Sequence, residues 1–190
     1  TDKKKIIELW KGKRIIFCGD IDCQLPPVKG EDDIFKTDDI YIKEYTKNYR
    51  ILDQKLKILL DDMRDCIINK KKFKLKFKVH KKEDIDYKVD DIIISKTNEQ
   101  KDIYSTKYKH LEKYRITSNS LEYSNGEIVI GPKPKTSAEL QHGFTIHSIQ
   151  GETIQAPNKL FIDINKITSL KMIYTALSRC RYFNQIYLIK

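Results

Sequence analysis

Short apolar runs that end in polar residues recur along the chain. They are "RIIFC" at 14–18, "DIIIS" at 91–95, "KLFIDI" at 159–164 and "QIYLI" at 185–189. Runs of this length are typical of strands buried on both faces, as in parallel sheets. Ligands of open α/β sheets bind beyond the carboxyl ends of such strands. The pattern therefore predicts a parallel sheet whose polar loops carry the function.

Segments with the periodicity of α-helices lie between these runs. Residues 53–68 place five apolar side chains at helical spacing behind Asp53, a favourable N-cap residue. These side chains are Leu56, Leu59, Leu60, Met63 and Ile67. We expect a second helix after the strand at 91–95, with Ile103 and Tyr104 facing inward, and a third through "SLKMIYTALSRC". Strands alternating with polar loops and helices predict an α/β protein.

Two further segments depart from this rhythm. Residues 72–79, "KFKLKFKV", alternate lysine with apolar residues, which predicts a half-buried strand with a cationic outer face. Lysines that guard a sheet edge against pairing with another chain are the favoured interpretation, and a track for nucleic acid is the alternative. The turn residues Asn125 and Gly126 predict a hairpin, which forms a small insertion at about 112–140.

Charge and composition narrow the class of partner. The chain has 37 basic and 27 acidic residues and a formal net charge of +10. A polyanion is the natural partner of such a chain, although a lysine-rich surface alone is the other interpretation. The four cysteines lack the spacing of a zinc site or a disulfide framework, and no apolar run approaches the length of a membrane span. We expect a soluble intracellular protein with reduced thiols, no metal site and no membrane partner.

Polar side chains cluster in the segment "HGFTIHSIQGETI" at 142–154. Thr145, His147 and Gln150 suit contacts with phosphate and sugar, and Gly151 lets the backbone approach a ligand closely. A polar turn that leads into a helix is the alternative.

Two other segments carry candidate chemistry. In "FCGDIDCQLPPV" at 17–28, acids and a glutamine follow a strand, and they either form a turn or bind a ligand. In "YTALSRCR", Arg179 ends a helix, either as a surface charge that complements the helix dipole or as an arginine finger for phosphoryl transfer.

Taken in order, "GDIDCQLPPV", "TIHSIQGET" and "YTALSRC" resemble motifs III, V and VI of superfamily 1 helicases, in the RecD and Pif branch. The stretch "YTKNYRILDQKLKILLDDMRD" resembles the motif IV region, and "IIISKTNEQKDIY" is similar to a strand and the following Thr-Asn of the second RecA-like domain. The resemblance runs through nearly the whole chain. It implies a RecA-like parallel sheet and ATP-driven translocation on single-stranded nucleic acid, with DNA as substrate and 5′ to 3′ polarity.

Residue roles at the nucleotide follow from the resemblance. It implies that Gln24 senses the γ-phosphate and that Asp20 supports its loop. Arg50 and Arg179 would act as two arginine fingers. Gly151 and Glu152 would lie near the nucleotide, with Glu152 approaching the ribose.

The resemblance also implies contacts with the single strand. Thr145, His147 and Gln150 would lie along its backbone, with Thr97 or Asn98 nearby. Many relatives have Lys-Ser before the motif V glutamine, whereas this chain has Ser148 and Ile149, so one cationic contact is absent.

A larger departure is that the sequence contains no GxxxxGK[ST] phosphate loop and no Walker B acids before Gly19. ATP and Mg²⁺ are therefore expected cofactors of a parent protein, and none is held by this chain alone. We expect residues 1–40 to be the end of a first RecA-like domain and 41–190 to be the second, with the N-terminal RecA-like domain as a partner.

Two alternatives stay open. One is a nucleic-acid-binding or recruitment module without catalysis, and the other is a viral-type superfamily 1 helicase that acts on RNA. The lysine- and isoleucine-rich composition favours a large DNA virus or an A+T-rich eukaryotic microbe as the source.

Overall fold

The computed structural model describes residues 47–190 continuously and, before them, only 8, 9, 11, 12, 16, 19, 20, 22, 23, 25, 41 and 43–45. The strands are β1 (Val79–His80), β2 (Ile92–Ser95), β3 (Lys113–Ile116), β4 (Ile128–Ile130), β5 (Ala138–Leu140), β6 (Gly143–Thr145), β7 (Leu160–Asp163) and β8 (Ile186–Ile189). The helices are α1 (Gln54–Ile68), α2 (Asn98–Lys107) and α3 (Leu170–Leu177), with short 3₁₀ turns at Lys109–Leu111 and Phe183–Gln185.

Among the described residues, five strands form a parallel sheet in the order β1-β8-β7-β2-β6. Successive side chains of a strand point to opposite faces of the sheet, and the burial follows this period. In β2, Ile94 packs in the cluster that includes Leu56, whereas Ile93 packs in a second cluster with Tyr104. A parallel sheet covered on both faces confirms the predicted fold class.

Helix α1 shows why the predicted helix forms. The carboxylate of Asp53 accepts hydrogen bonds from the backbone N–H groups of Lys55 (2.7 Å) and Leu56 (3.1 Å), which caps the helix. Leu56, Leu60 and Met63 are buried, as their spacing predicts. The pKa of Asp53 is lowered, first by the hydrogen bond from the backbone of Phe183.

In helix α2, only one of the two residues predicted to face inward does so. Tyr104 is buried, but Ile103 is 59 % exposed, so that prediction was wrong. The buried face of α2 is set by Gln100, Tyr104 and Ser105, and a helix rotates about 100° per residue. Ile103 therefore lies away from that face.

One predicted strand is shorter than expected, and another lies almost wholly outside the described residues. In the segment 72–79, only Val79 pairs in the sheet, where β1 forms an edge next to β8. Phe73, Leu75 and Phe77 nevertheless pack against the core, which confirms the predicted alternation up to Phe77, but Val79 is 46 % exposed, so the prediction was wrong there. Ile16 is 76 % exposed and lies outside any strand, and the rest of 14–18 is outside the described residues.

The insertion is a separate three-stranded antiparallel sheet in the order β4-β3-β5. Gly126, with φ 92°, lies in the loop between β3 and β4, as the Asn-Gly signal predicts. Lys113 joins this sheet to the parallel one, because its ammonium donates to the carbonyl oxygen of Asp91 at 2.7 Å. Burial lowers the pKa of Lys113 to about 8.

Three of the four cysteines, Cys23, Cys66 and Cys180, are free thiols, and Cys18 lies outside the described residues. None of the helices in the described ranges combines the length and apolarity that a membrane crossing requires.

Candidate nucleotide and nucleic-acid site

The predicted nucleic-acid contacts begin at one edge of the parallel sheet. Strands β2 and β6 are neighbours, and Ser95 pairs with Thr145 at their carboxyl ends. The backbone N–H of Ile146 donates to the carbonyl of Ser95 at 3.1 Å, which continues the pairing into the turn. The loops that follow both strands therefore start about 4.8 Å apart, which is the spacing of adjacent strands.

The loop after β6 is a tight turn held by its own polar groups. Ser148 N–H donates to the hydroxyl of Thr145 at 3.2 Å, and Thr145 N–H donates to the hydroxyl of Ser148 at 3.1 Å. Ile149 is buried in the core and anchors the turn. His147 and Gln150 are half-buried, and within the described part of the chain their side chains make no hydrogen bond. Both side chains are thus available to a ligand.

The loop after β2 presents one engaged and one available side chain. The hydroxyl of Thr97 caps α2, because it accepts from the backbone N–H of Gln100 at 3.3 Å. Asn98 is the first residue of the helix and is exposed. Of the two residues predicted to lie near the strand here, Asn98 is therefore more available to a ligand than Thr97.

Two arginines from distant parts of the chain meet at the carboxyl end of α3. The guanidinium of Arg50 donates to the carbonyl of Ser178 at 3.2 Å. Arg179 is 9 % exposed, and its guanidinium donates to the carbonyl of Thr175 at 2.9 Å and to the hydroxyl of Ser178 at 2.8 Å. Burial, and then the nearby charge of Arg50, lower the pKa of Arg179 to about 10. Two cations held this close together suit an anion.

The segment that carries the predicted strand contacts continues directly to the arginines. Arg179 donates to the carbonyl of Glu152 at 3.5 Å, and Ile154 N–H donates to the carbonyl of Arg179 at 2.8 Å. Gly151 has φ 101°, a conformation that residues with a side chain rarely adopt. Gly151 and Glu152 are exposed, so this turn lies at the surface beside the arginine pair.

The segment around Asp20 packs on α1. Asp20 forms an ion pair with Arg64 at 2.7 Å and also accepts from the backbone N–H of Cys23 at 3.1 Å. Asp22 lies 3.4 Å from the same guanidinium. Cys23 is buried, and its burial, with the nearby charge of Asp20, raises the pKa of its thiol to about 11. Gln24, the predicted phosphate sensor, lies outside the described residues.

Two residues near this site were not anticipated from the sequence. Arg64 pairs with both Asp20 and Asp22, and Asp20 lies 44 positions away in the sequence, which no local pattern indicates. Lys96 lies between Ser95 and Thr97 at the carboxyl end of β2, and its ammonium donates to the hydroxyl of Thr168 at 3.5 Å. Its position directly after a buried strand is the signal that would have identified it.

The side chains of this site suit the two parts of an ATP–Mg²⁺ complex unequally. The guanidinium groups of Arg50 and Arg179 fit contacts with phosphate oxygens. Across the ranges that the structure describes, no group of three or more histidine, cysteine or acidic side chains is arranged to hold a metal ion. The sequence contains no phosphate loop. The donor set thus fits the phosphates of ATP better than it fits Mg²⁺.

The comparisons with known proteins concern the fold. The sequence matches no protein-family model and no curated protein. Its structure is similar to Bacteroides Pif1 helicase in complex with ADP-AlF3 and single-stranded DNA, with a TM-score of 0.53 and 15 % identity over 75 % of this chain and 50 % of that chain. It is also similar to a Pif1 helicase structure that concerns DNA unwinding at forked duplex DNA, with a TM-score of 0.52, 15 % identity and coverage of 75 % and 48 %.

A double mutant of the Bacteroides Pif1 helicase aligns with a larger share of the chain, 87 %, and 59 % of its own length, at a TM-score of 0.50 and 16 % identity. At such identities the similarity establishes the fold, a parallel sheet flanked by helices as in the RecA-like domains of Pif1 helicases. The chain spans about half the length of these structures.

Proposed function

We propose that residues 41–190 form the second RecA-like motor domain of an ATP-dependent superfamily 1 helicase, and that 1–40 belong to the end of the first. The motor moves along single-stranded DNA, 5′ to 3′, and unwinds duplex. The similarity to Pif1 helicase structures and the order of the three motif-like segments support this proposal.

The observation that carries the proposal is the arginine pair. Arg50 and Arg179 are 129 positions apart in the sequence, yet both contact Ser178. Bringing two like charges together costs free energy unless an anion binds them. The transferred phosphoryl group of ATP is such an anion, and arginines that stabilise its developing charge accelerate hydrolysis by about 10³- to 10⁵-fold.

In this proposal the residues of the chain approach the nucleotide from one side. Arg50 and Arg179 contact the phosphates, and Glu152 lies towards the ribose. The phosphate loop and the Mg²⁺ ligands come from the first RecA-like domain, and bound Mg²⁺ would neutralise charge on the transferring group. Closing the cleft between the domains completes the site and shields the phosphates from water.

Coupling between ATP and DNA follows from the short segment that joins the two sets of residues. His147 and Gln150 contact the strand, and the next two residues, Gly151 and Glu152, border the arginine pair. A shift of Arg179 on nucleotide binding therefore moves the strand contacts. Lys96 supplies a cationic contact at this edge of the sheet. Many relatives have a lysine at the position of Ser148 instead.

Replacing both His147 and Gln150 with alanine is expected to weaken binding of a labelled single-stranded oligonucleotide by roughly 10- to 100-fold. Each side chain contributes a hydrogen bond to a charged phosphate, which is worth about 1.5 kcal/mol or a factor of ten. Fluorescence anisotropy with matched DNA and RNA oligonucleotides measures the effect and the preference for DNA.

The matched control replaces Ser118 and Asn125, two exposed polar residues in the loop between β3 and β4, with alanine. This control should bind like the unmodified chain. Unchanged affinity in the His147 and Gln150 variant would remove the strand contacts from the proposal.

A binding module without catalysis is the second candidate, because the sequence has no phosphate loop. It shares the strand contacts but gives the arginine pair no catalytic role. Hydrolysis by the full-length gene product separates the two.

A further inference from the structure

A row of four lysines lies on the outer side of the segment that precedes β1. Lys72, Lys74, Lys76 and Lys78, here called the lysine row, are all exposed. The residues between them, Phe73, Leu75 and Phe77, pack against the core. The inward contacts fix the segment, so that the four ammonium groups share one side, about 6.6 Å apart along an extended chain.

The lysine row has no counter-charge among the described residues. Within the part of the chain that the structure describes, none of its four ammonium groups takes part in an ion pair or a hydrogen bond. Lys71, directly before the row, does pair with Asp65 at 3.0 Å. Acidic residues are thus within reach of this part of the chain, but the row itself stays unneutralised. An edge strand of two residues needs fewer than four lysines to prevent it from pairing with another chain.

The lysine row is far from the loops that carry the predicted single-strand contacts. Strand β1 is at one edge of the sheet and β6 at the other, four strand spacings or about 19 Å apart. Phe77 stacks on Phe183, with ring centroids 4.9 Å apart, and Phe183 begins the 3₁₀ turn that leads into β8. The row therefore runs past the amino ends of the strands, whereas the loops with the predicted single-strand contacts begin at the carboxyl ends of β2 and β6.

We propose that the lysine row binds the phosphate backbone of duplex nucleic acid. The inference rests on the proposed function in so far as the chain works on nucleic acid. Proteins that bind single strands combine cations with aromatic rings on which bases stack. The rings within the row face the core, so its outer side offers cations alone. A duplex turns its phosphates outward and keeps its bases stacked, and it matches that surface.

The expected size of the effect follows from counterion release. Each phosphate neutralised on duplex DNA contributes about 0.9 to the slope of log K against log salt. Four contacts therefore contribute a slope of about 3 to 4. The slope counts phosphate contacts and is insensitive to moderate changes in overall stability.

The test titrates a short labelled DNA duplex with the 190-residue chain between about 50 and 200 mM salt. Replacing all four lysines of the row with glutamine is expected to reduce the slope by about 3 to 4 and to weaken binding at the lower salt. Replacement with arginine should preserve both values, because the charges are kept. Circular dichroism checks the fold, and if the fourfold variant is unfolded, Lys74→Gln with Lys76→Gln should remove about half of the change.

The matched control removes the same number of charges elsewhere, at four exposed lysines outside the row: Lys57, Lys109, Lys133 and Lys135. It should leave most of the slope unchanged. An unchanged slope in the row variant, an equal loss in the control, or a loss confined to a single-stranded probe would each overturn the proposal.

Failure of this inference is distinguishable from failure of the proposed function. The His147 and Gln150 variant reports on the single-strand site, with a single-stranded probe. If the His147 and Gln150 variant binds the single strand like the unmodified chain while the row variant loses duplex binding, the proposed strand contacts are wrong and the proposed role of the lysine row is supported. If the row variant binds the duplex like the unmodified chain while the His147 and Gln150 variant loses binding of the single strand, the proposed role of the lysine row is wrong and the strand contacts are supported.

Discussion

Replacing Arg179 with alanine in the full-length gene product should lower nucleic-acid-stimulated ATP hydrolysis by about 10³- to 10⁵-fold. The guanidinium is held by Thr175 and Ser178 at the end of α3, beside Arg50. A group fixed before the reaction stabilises developing charge without reorganisation at the moment of phosphoryl transfer. We therefore expect kcat to fall much more than KM for ATP rises.

Arg181→Ala is the matched control, because Arg181 lies two positions further on and its guanidinium binds Gln155 at 3.0 Å instead. It should retain near-normal turnover. Arg179→Lys keeps a charge without the planar fork and should restore little activity. A thermal midpoint close to normal and unchanged affinity for single-stranded DNA show that the variants are folded. Normal turnover by Arg179→Ala would remove the catalytic role from this residue.

Replacing Gly143 with alanine should destabilise the chain by about 3 kcal/mol, the upper end of typical overpacking costs. A Cβ atom at this position would overlap the carbonyl oxygen of Lys101 and lie 2.9 Å from the Lys101 Cα. These are backbone atoms of α2, so no side-chain rotation relieves the overlap. Since Gly143 begins β6, the displaced strand would also move Thr145 and weaken binding of single-stranded DNA.

Urea denaturation measures the loss of stability for Gly143→Ala. Gly131→Ala is the control, because a Cβ atom there meets nothing within 4 Å and the cost comes only from its positive φ of 119°. It should destabilise by about 1 kcal/mol and leave binding of the single strand unchanged. Equal stability of Gly143→Ala and the unmodified chain would contradict the close packing of β6 on α2.

The parallel sheet could be predicted because each buried strand carries its own signal. In β2 and β7, continuous apolar runs mark strands that face cores on both sides, and the structure places Ile93 and Ile94 on opposite faces. The error at Ile103 arose because α2 has few apolar residues. Its inner face includes Gln100 and Ser105, which periodicity counts as polar.

The candidate site was predicted as a set of segments, without its internal contacts. The resemblance to helicase motifs predicted roles for Arg50 and Arg179, but their convergence on Ser178 depends on how α1 and α3 pack. The pairing of Asp20 with Arg64 depends on that packing as well. Contacts between residues far apart in the chain leave no local periodicity, so single-sequence reasoning cannot find them.

We propose that this chain forms half of an ATP-driven motor. The most direct test is ATP-dependent unwinding by the full-length gene product, with matched forked DNA and RNA duplexes. The account predicts that DNA is unwound with ATP hydrolysis, and that Arg50→Ala combined with Arg179→Ala abolishes both while single-strand affinity persists. Tight binding of single-stranded DNA by the unmodified protein without any ATP hydrolysis would contradict the claim and favour a binding module.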